Sequence, residues 1–265
     1  MSPRLRVWIV VGAAALAAAG TAVGVTFATR SNVQRVETKP PPFSPDPTAA
    51  PAVATEVRQA LAAWPAGTVR RLRILAARYP ATGLVRLELG LALALSGQAA
   101  DADRAWRDAE RVQPDSPSAV RAQDLRHPNT PPGLPPFLPT FRRADNKREL
   151  HLLRGIGFQQ ALRPVSAERE FAAAARAAPN DPEALTAAAV GVYDKDRPVR
   201  AFSRLGPLVR RFPNAQTVRF HLGLLLIYFG DVPRARKELV LARAQGPRTP
   251  LGKRAQRLLE AARGG

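Results

Sequence analysis

The side chains most able to do chemistry are sparse and scattered. The three histidines, His127, His151 and His221, lie in separate segments, and none has a second ligand four residues away on a helix. There is no cysteine, so a thiolate nucleophile, a disulfide and the commonest structural-zinc ligand are all excluded. Two Asp-x-Asp pairs, Asp101 with Asp103 and Asp194 with Asp196, fall near expected turns, where aspartate serves as a cap. Gly155-Ile156-Gly157 sits inside a helical pattern and is better explained by close helix packing than by phosphate binding. No Gly-x-Ser-x-Gly, P-loop or dinucleotide pattern occurs. The chain is expected to be no enzyme, with no catalytic residue, no cofactor and no metal site.

The remaining reactive feature is charge. Forty Lys and Arg stand against 21 Asp and Glu, a formal net charge of +19. Such an excess raises polyanions and anionic lipid as partners. Arg70, Arg71, Arg73, Arg104, Arg107, Arg111, Arg234, Arg236 and Lys237 are not interleaved with aromatic stacking residues, so nucleic acid is not the expected partner. A solvated face is the simpler account.

Alanine, leucine and arginine dominate, and aromatics make up 6% of the chain, so an all-α fold is expected. The repeats settle its organisation. Gly90, Ala102, Trp106 and Pro114 recur in spacing as Gly155, Ala167, Phe171 and Pro179. They recur again as Ala189, Ala201, Leu205 and Pro213, and as Gly223, Ala235, Leu239 and Pro247, the last three sets standing 34 residues apart. Small residues at these points let the two helices of a hairpin approach closely, and Trp106, Phe171, Leu205 and Leu239 are expected to fill the space between neighbouring hairpins. Ser116-Pro117 and Asp181-Pro182 each supply an N-cap followed by proline at the first helical position.

These residues, with Leu89-Gly90 and Leu222-Gly223, resemble the tetratricopeptide repeat family, as a membrane-anchored bacterial-type adaptor. The resemblance implies a tetratricopeptide-like α-solenoid, a right-handed superhelix of helical hairpins, behind an N-terminal transmembrane helix. Repeats are expected at 83–116, 148–181, 182–215 and 216–249. A degenerate first repeat at 52–82 has Glu56 and Thr68 at the small positions, and a capping helix at 250–263 ends the array. In this family the first helix of each hairpin lines a concave groove. The matching positions are Leu84, Leu87, Leu91, Leu95, Leu152, Ile156, Gln159, Val190, Tyr193, Phe220, Leu224 and Tyr228. The basic residues that clamp a C-terminal carboxylate in some members are missing here, so what is implied is an apolar groove for a protein partner.

Two proline-rich tracts interrupt the pattern. Residues 30–51 are expected to be a semi-rigid spacer, and residues 117–147 an insertion. Leu134, Phe137, Leu138 and Phe141 make the insertion too apolar for a plain linker. It is expected either to fill the groove, as plug or displaceable lid, or to bridge two halves of the superhelix.

Residues 1–6 form a short tail. Residues 7–29 carry no charge and, at roughly 1.5 Å per residue, can span a bilayer core of about 30 Å. A signal peptide cleaved near Ala17-Ala18-Ala19 is the alternative, but the apolar run continues past that point. The expectation is a single-pass membrane protein with an extracytoplasmic domain that scaffolds protein partners in envelope complex assembly. The runner-up is a basic module that binds polyanions or anionic lipid through its convex arginine-rich face.

Overall fold

The computed structural model describes residues 39–262, and among them are twelve α-helices and no strand. The apolar stretch 7–29 lies outside the described residues. No described helix is long and apolar enough to cross a membrane.

The helices fall into two compact units, 39–127 and 128–262. The first holds α1 (Pro51–Leu61), α2 (Thr68–Arg78), α3 (Gly83–Leu95), α4 (Ala99–Val112) and α5 (Pro117–Arg126). The second holds α6 (Lys147–Gln160), α7 (Pro164–Ala177), α8 (Pro182–Val190), α9 (Val199–Arg211), α10 (Gln216–Phe229), α11 (Val232–Gln245) and α12 (Pro250–Ala261). Within each unit successive helices pack on one another, and their short connections oblige each pair to run antiparallel. The result is a series of antiparallel helical hairpins within each unit.

Helix starts are written in the side chains. The Ser116 hydroxyl accepts the Ala119 N–H at 3.2 Å, the Asp181 carboxylate the Ala184 N–H at 2.7 Å, and the Thr249 hydroxyl the Gly252 N–H at 3.0 Å. A proline follows each cap, where its missing N–H costs nothing. The Ser116 cap changes one boundary. Residues 117–126 were expected within the proline-rich insertion but form α5, because Pro117 opens a helix instead of breaking one.

The large residues of the second helices meet the small residues of the first. Trp106 lies against Gly90 of its own hairpin, where a β-carbon would overlap the indole. Leu239 meets Gly223 in the same way, with its Cγ 2.8 Å from where a β-carbon would stand. These side chains fill the interior of their own hairpins. Phe171 does this and also reaches the next hairpin, touching the space above both Gly155 and Gly191. In the degenerate first copy, Glu56 turns outward to Arg78 at 2.8 Å and the Tyr79 hydroxyl at 2.6 Å, while buried Thr68 donates to the Ala60 carbonyl at 3.0 Å. Both polar residues at the small positions thus find partners, Glu56 at the surface and Thr68 in the interior. α12 buries Leu251, Ala255, Leu258 and Leu259 and leaves Lys253 and Arg257 exposed, as an end helix must.

Gly155 and Gly157 separate packing from propensity within one helix, since a β-carbon at 157 meets nothing within 4 Å. Gly155→Ala is expected to lower stability by about 1–3 kcal/mol through overpacking against Phe171. Gly157→Ala is expected to raise it by up to about 1 kcal/mol. Urea unfolding of the two variants checks both signs.

Candidate partner-binding site

In unit 128–262 the proline-rich stretch lies across α6, α8 and α10, the first helices of their hairpins. Phe137 is 1% exposed, stacked on the His221 ring at 4.9 Å and set edge-on to Phe171 at 5.5 Å. It joins the core that contains Leu152 and Val190, with Phe141 and Ile156 packed against its margin. Leu134 and Leu138 pack against a second core that contains Tyr193, Phe220, Leu224 and Tyr228.

The backbone of this stretch is neither helix nor strand, so side chains must answer its polar groups. Between Pro135 and Thr140 the prolines leave three N–H donors, and each finds an acceptor. The Gln159 amide oxygen accepts from Phe137 N at 3.0 Å, and its amide nitrogen donates to the Pro135 carbonyl at 3.3 Å. His221 Nε2 accepts from Leu138 N at 2.9 Å. The Glu183 carboxylate accepts from Thr140 N at 2.6 Å and from the Thr140 hydroxyl at 3.0 Å. Lys195 Nζ, also buried, donates to the Pro131 carbonyl at 2.6 Å.

The bond to Leu138 fixes the His221 tautomer. A backbone N–H can only donate, so Nε2 carries the lone pair and Nδ1–H donates to the Thr217 carbonyl at 2.7 Å. Burial favours this neutral form and pushes the imidazole down to about 4. Burial likewise raises the Glu183 carboxyl above its ordinary range, opposed by the Thr140 hydrogen bonds and by Arg148, 3.7 Å away.

Unit 39–127 shows a related arrangement. Residues 41–48 were expected to be part of a spacer, but they are docked. Ser44 N donates to Glu88 Oε1 at 2.8 Å, and Glu88 is fully buried on α3. The Asp46 carboxylate accepts the Ser118 N–H at 3.1 Å and the Ser118 hydroxyl at the start of α5. Arg58 lies over the Phe43 ring at 4.5 Å. Burial pushes the Glu88 carboxyl up to about 7, and the Ser44 N–H and the Arg121 charge act against that rise.

The predicted groove residues are thus divided between two units. Leu84, Leu87 and Leu91 are buried, and Leu95 is half-exposed. Leu152, Val190, Tyr193, Phe220, Leu224 and Tyr228 are buried, while Ile156 and Gln159 are half-buried. Most of these are core rather than open wall, because these helices are packed on nearly all sides. The groove is also less apolar than expected: Glu88, Glu183, Lys195 and His221 were missed because their partners lie far along the chain. The Asp101 and Asp103 pair is not a cap. Asp101 pairs with Arg104, and Asp103 pairs with Arg107 at 2.9 Å; Asp194 does brace a turn, accepting Asp196 N at 2.8 Å.

No protein-family model matches the chain, and no curated protein matches it. Among solved structures it is similar to YrrB, described as a tetratricopeptide repeat protein with an unusual peptide-binding site, at 12% identity over 78% of this chain and 86% of that one, with a TM-score of 0.33. It is also similar to the TPR2AB domain of yeast Sti1, solved in its pHSP90 complex, at 12% identity over 80% and 85%, with a TM-score of 0.35. A third is the MamA RS-1 ArsTM double mutant, at 15% identity over 77% and 94%, with a TM-score of 0.26.

The two buried titrating groups give opposite pH dependences. Glu88 is raised above its ordinary value, so its contribution is fully present below about pH 4.5 and is lost as pH rises through about 7. His221 is depressed, so its contribution is present above about pH 6.5 and is lost as pH falls through about 4. Glu88→Gln is expected to raise the stability of unit 39–127 at pH 8 and change little at pH 4, and His221→Gln to flatten the acid loss of unit 128–262. Tryptophan fluorescence, through Trp64 and Trp106, follows the first unit in urea titrations, and circular dichroism follows both.

Proposed function

We propose that this chain is a protein-binding scaffold that grips extended segments of its partners along the first helices of its hairpins and carries no chemistry of its own. The observation that supports this is the seating of residues 135–140 in unit 128–262. Every N–H that the prolines leave there is bound by a side chain from α6, α8 or α10, while one aromatic ring enters a buried pocket. Backbone bonds give affinity to any extended segment, and the pocket gives preference for an aromatic one.

On this reading residues 7–29 tether the scaffold to a membrane, its helical units stand on the extracytoplasmic side, and its role lies in envelope complex assembly. The competing reading, a basic module for polyanions, draws on the exposed arginines of α2 and α4. Those of α4 are paired: Arg104 with Asp101, Arg107 with Asp103 at 2.9 Å and Arg111 with Asp108 at 2.8 Å, which lowers the potential a polyanion would meet.

Site-specific photocrosslinking in intact membranes tests the proposal. A benzophenone side chain at Leu95 or Ile156 is expected to trap discrete protein adducts, and one at Arg107 is expected to trap none. Adducts confined to Arg107, or salt-sensitive retention on anionic vesicles that Arg104, Arg107 and Arg111 account for, would instead support the basic module.

A further inference from the structure

Pro41-Pro42-Phe43-Ser44-Pro45 and Pro135-Pro136-Phe137-Leu138-Pro139 are the same pattern, Pro-Pro-Phe-x-Pro, once in each unit. The two copies are held alike. In each, the N–H after the phenylalanine donates to a fully buried side chain, Glu88 at 2.8 Å or His221 at 2.9 Å. Those acceptors hold one register position, two residues before the small glycine of their repeats, Gly90 and Gly223. The corresponding positions of the other two repeats hold Leu153 and Ala187, which accept nothing from a backbone.

The agreement continues along each segment. Two residues past the bonded N–H, Asp46 meets Ser118, and Thr140 meets Glu183 at 2.6 Å. Ser118 and Glu183 each stand two residues beyond a capping residue followed by proline, Ser116-Pro117 and Asp181-Pro182. The first proline of each copy, Pro41 or Pro135, is buried. Two things differ: the first segment passes from α3 to the later α5 and the second from α10 back to α8, and at the second contact Asp46 accepts from Ser118 whereas Thr140 donates to Glu183. An extended proline-rich chain has no internal hydrogen bonds, so a reader that counts one donor and one ring tolerates either direction.

Two different acceptors, a carboxyl and an imidazole, meet the same donor of the same motif from the same repeat position. We propose that unit 39–127 is a reader of Pro-Pro-Phe-x-Pro segments, and that residues 41–46 are its resident copy, exchanged for the same motif on another polypeptide. This rests on the scaffold reading and names its ligand. The first copy is the exchangeable one. Phe43 is half-buried and Pro42 and Pro45 are exposed, whereas Phe137 is 1% exposed and its segment is held by Gln159, His221, Glu183 and Lys195.

A tethered segment competes at an effective concentration on the order of millimolar, so loosening it exposes the site to a free one. Ser44→Pro removes the donor to Glu88, and Phe43→Ala removes the ring. A labelled peptide of residues 39–48, read by fluorescence anisotropy against the full chain, is expected to bind each variant at least tenfold more tightly than the unaltered chain. Adding Glu88→Met, which keeps the volume and removes the acceptor, is expected to cancel the gain, and a peptide with alanine in place of the phenylalanine is expected not to bind. Tryptophan fluorescence confirms that each variant is folded. No gain in either folded variant, a gain that survives Glu88→Met, or dimerisation without peptide binding would overturn the proposal. Protein adducts at Leu95 alongside a failed peptide would leave the scaffold standing and remove only its ligand class.

Discussion

A proline-rich segment laid against helices carries few amide donors, and each one must be answered by a side chain because no strand or helix partner is in reach. An unanswered buried N–H costs about 1–3 kcal/mol, comparable to the whole gain from burying an aliphatic side chain. That constraint explains why polar residues sit where a helical repeat would otherwise place leucine. Glu88, Gln159, Glu183 and His221 all face backbone or near-backbone groups of an extended segment, and each would be a liability in its position without that segment.

Hairpin packing supplies the rigid frame on which those acceptors stand. Gly90 and Gly223 bring the large side chain of the second helix down onto the first, and the residue two positions earlier projects from nearly the opposite side of the same helix. Glu88 and His221 therefore stand on the side turned away from the close approach that defines the repeat. A change at the glycine moves the acceptor as well as the core, so stability and recognition are coupled through one turn of helix.

Much of this frame was legible in the sequence, because it depends on neighbours within one repeat. The cadence of Gly155, Ala189 and Gly223 and the caps at Ser116 and Asp181 involve partners a few residues or one helix away. The acceptors were not legible, because Ser44 and Glu88 are 44 residues apart and Leu138 and His221 are 83 apart. Nothing local marks a buried histidine as the acceptor for a distant amide. The helix at 117–126 was only half legible: Ser116-Pro117 marked a helix start, but composition assigned the residues after it to the proline-rich insertion.

The central claim is that buried side chains on the first helices hold the amides of Ser44 and Leu138. Native-state hydrogen exchange of those two amides tests it most directly. Both are expected to exchange orders of magnitude more slowly than an exposed amide in an extended segment, with Ser44 losing its protection in Glu88→Met and Leu138 losing its protection in His221→Leu. Exchange at the unprotected rate in the unaltered protein, or protection unchanged by those substitutions, would contradict it.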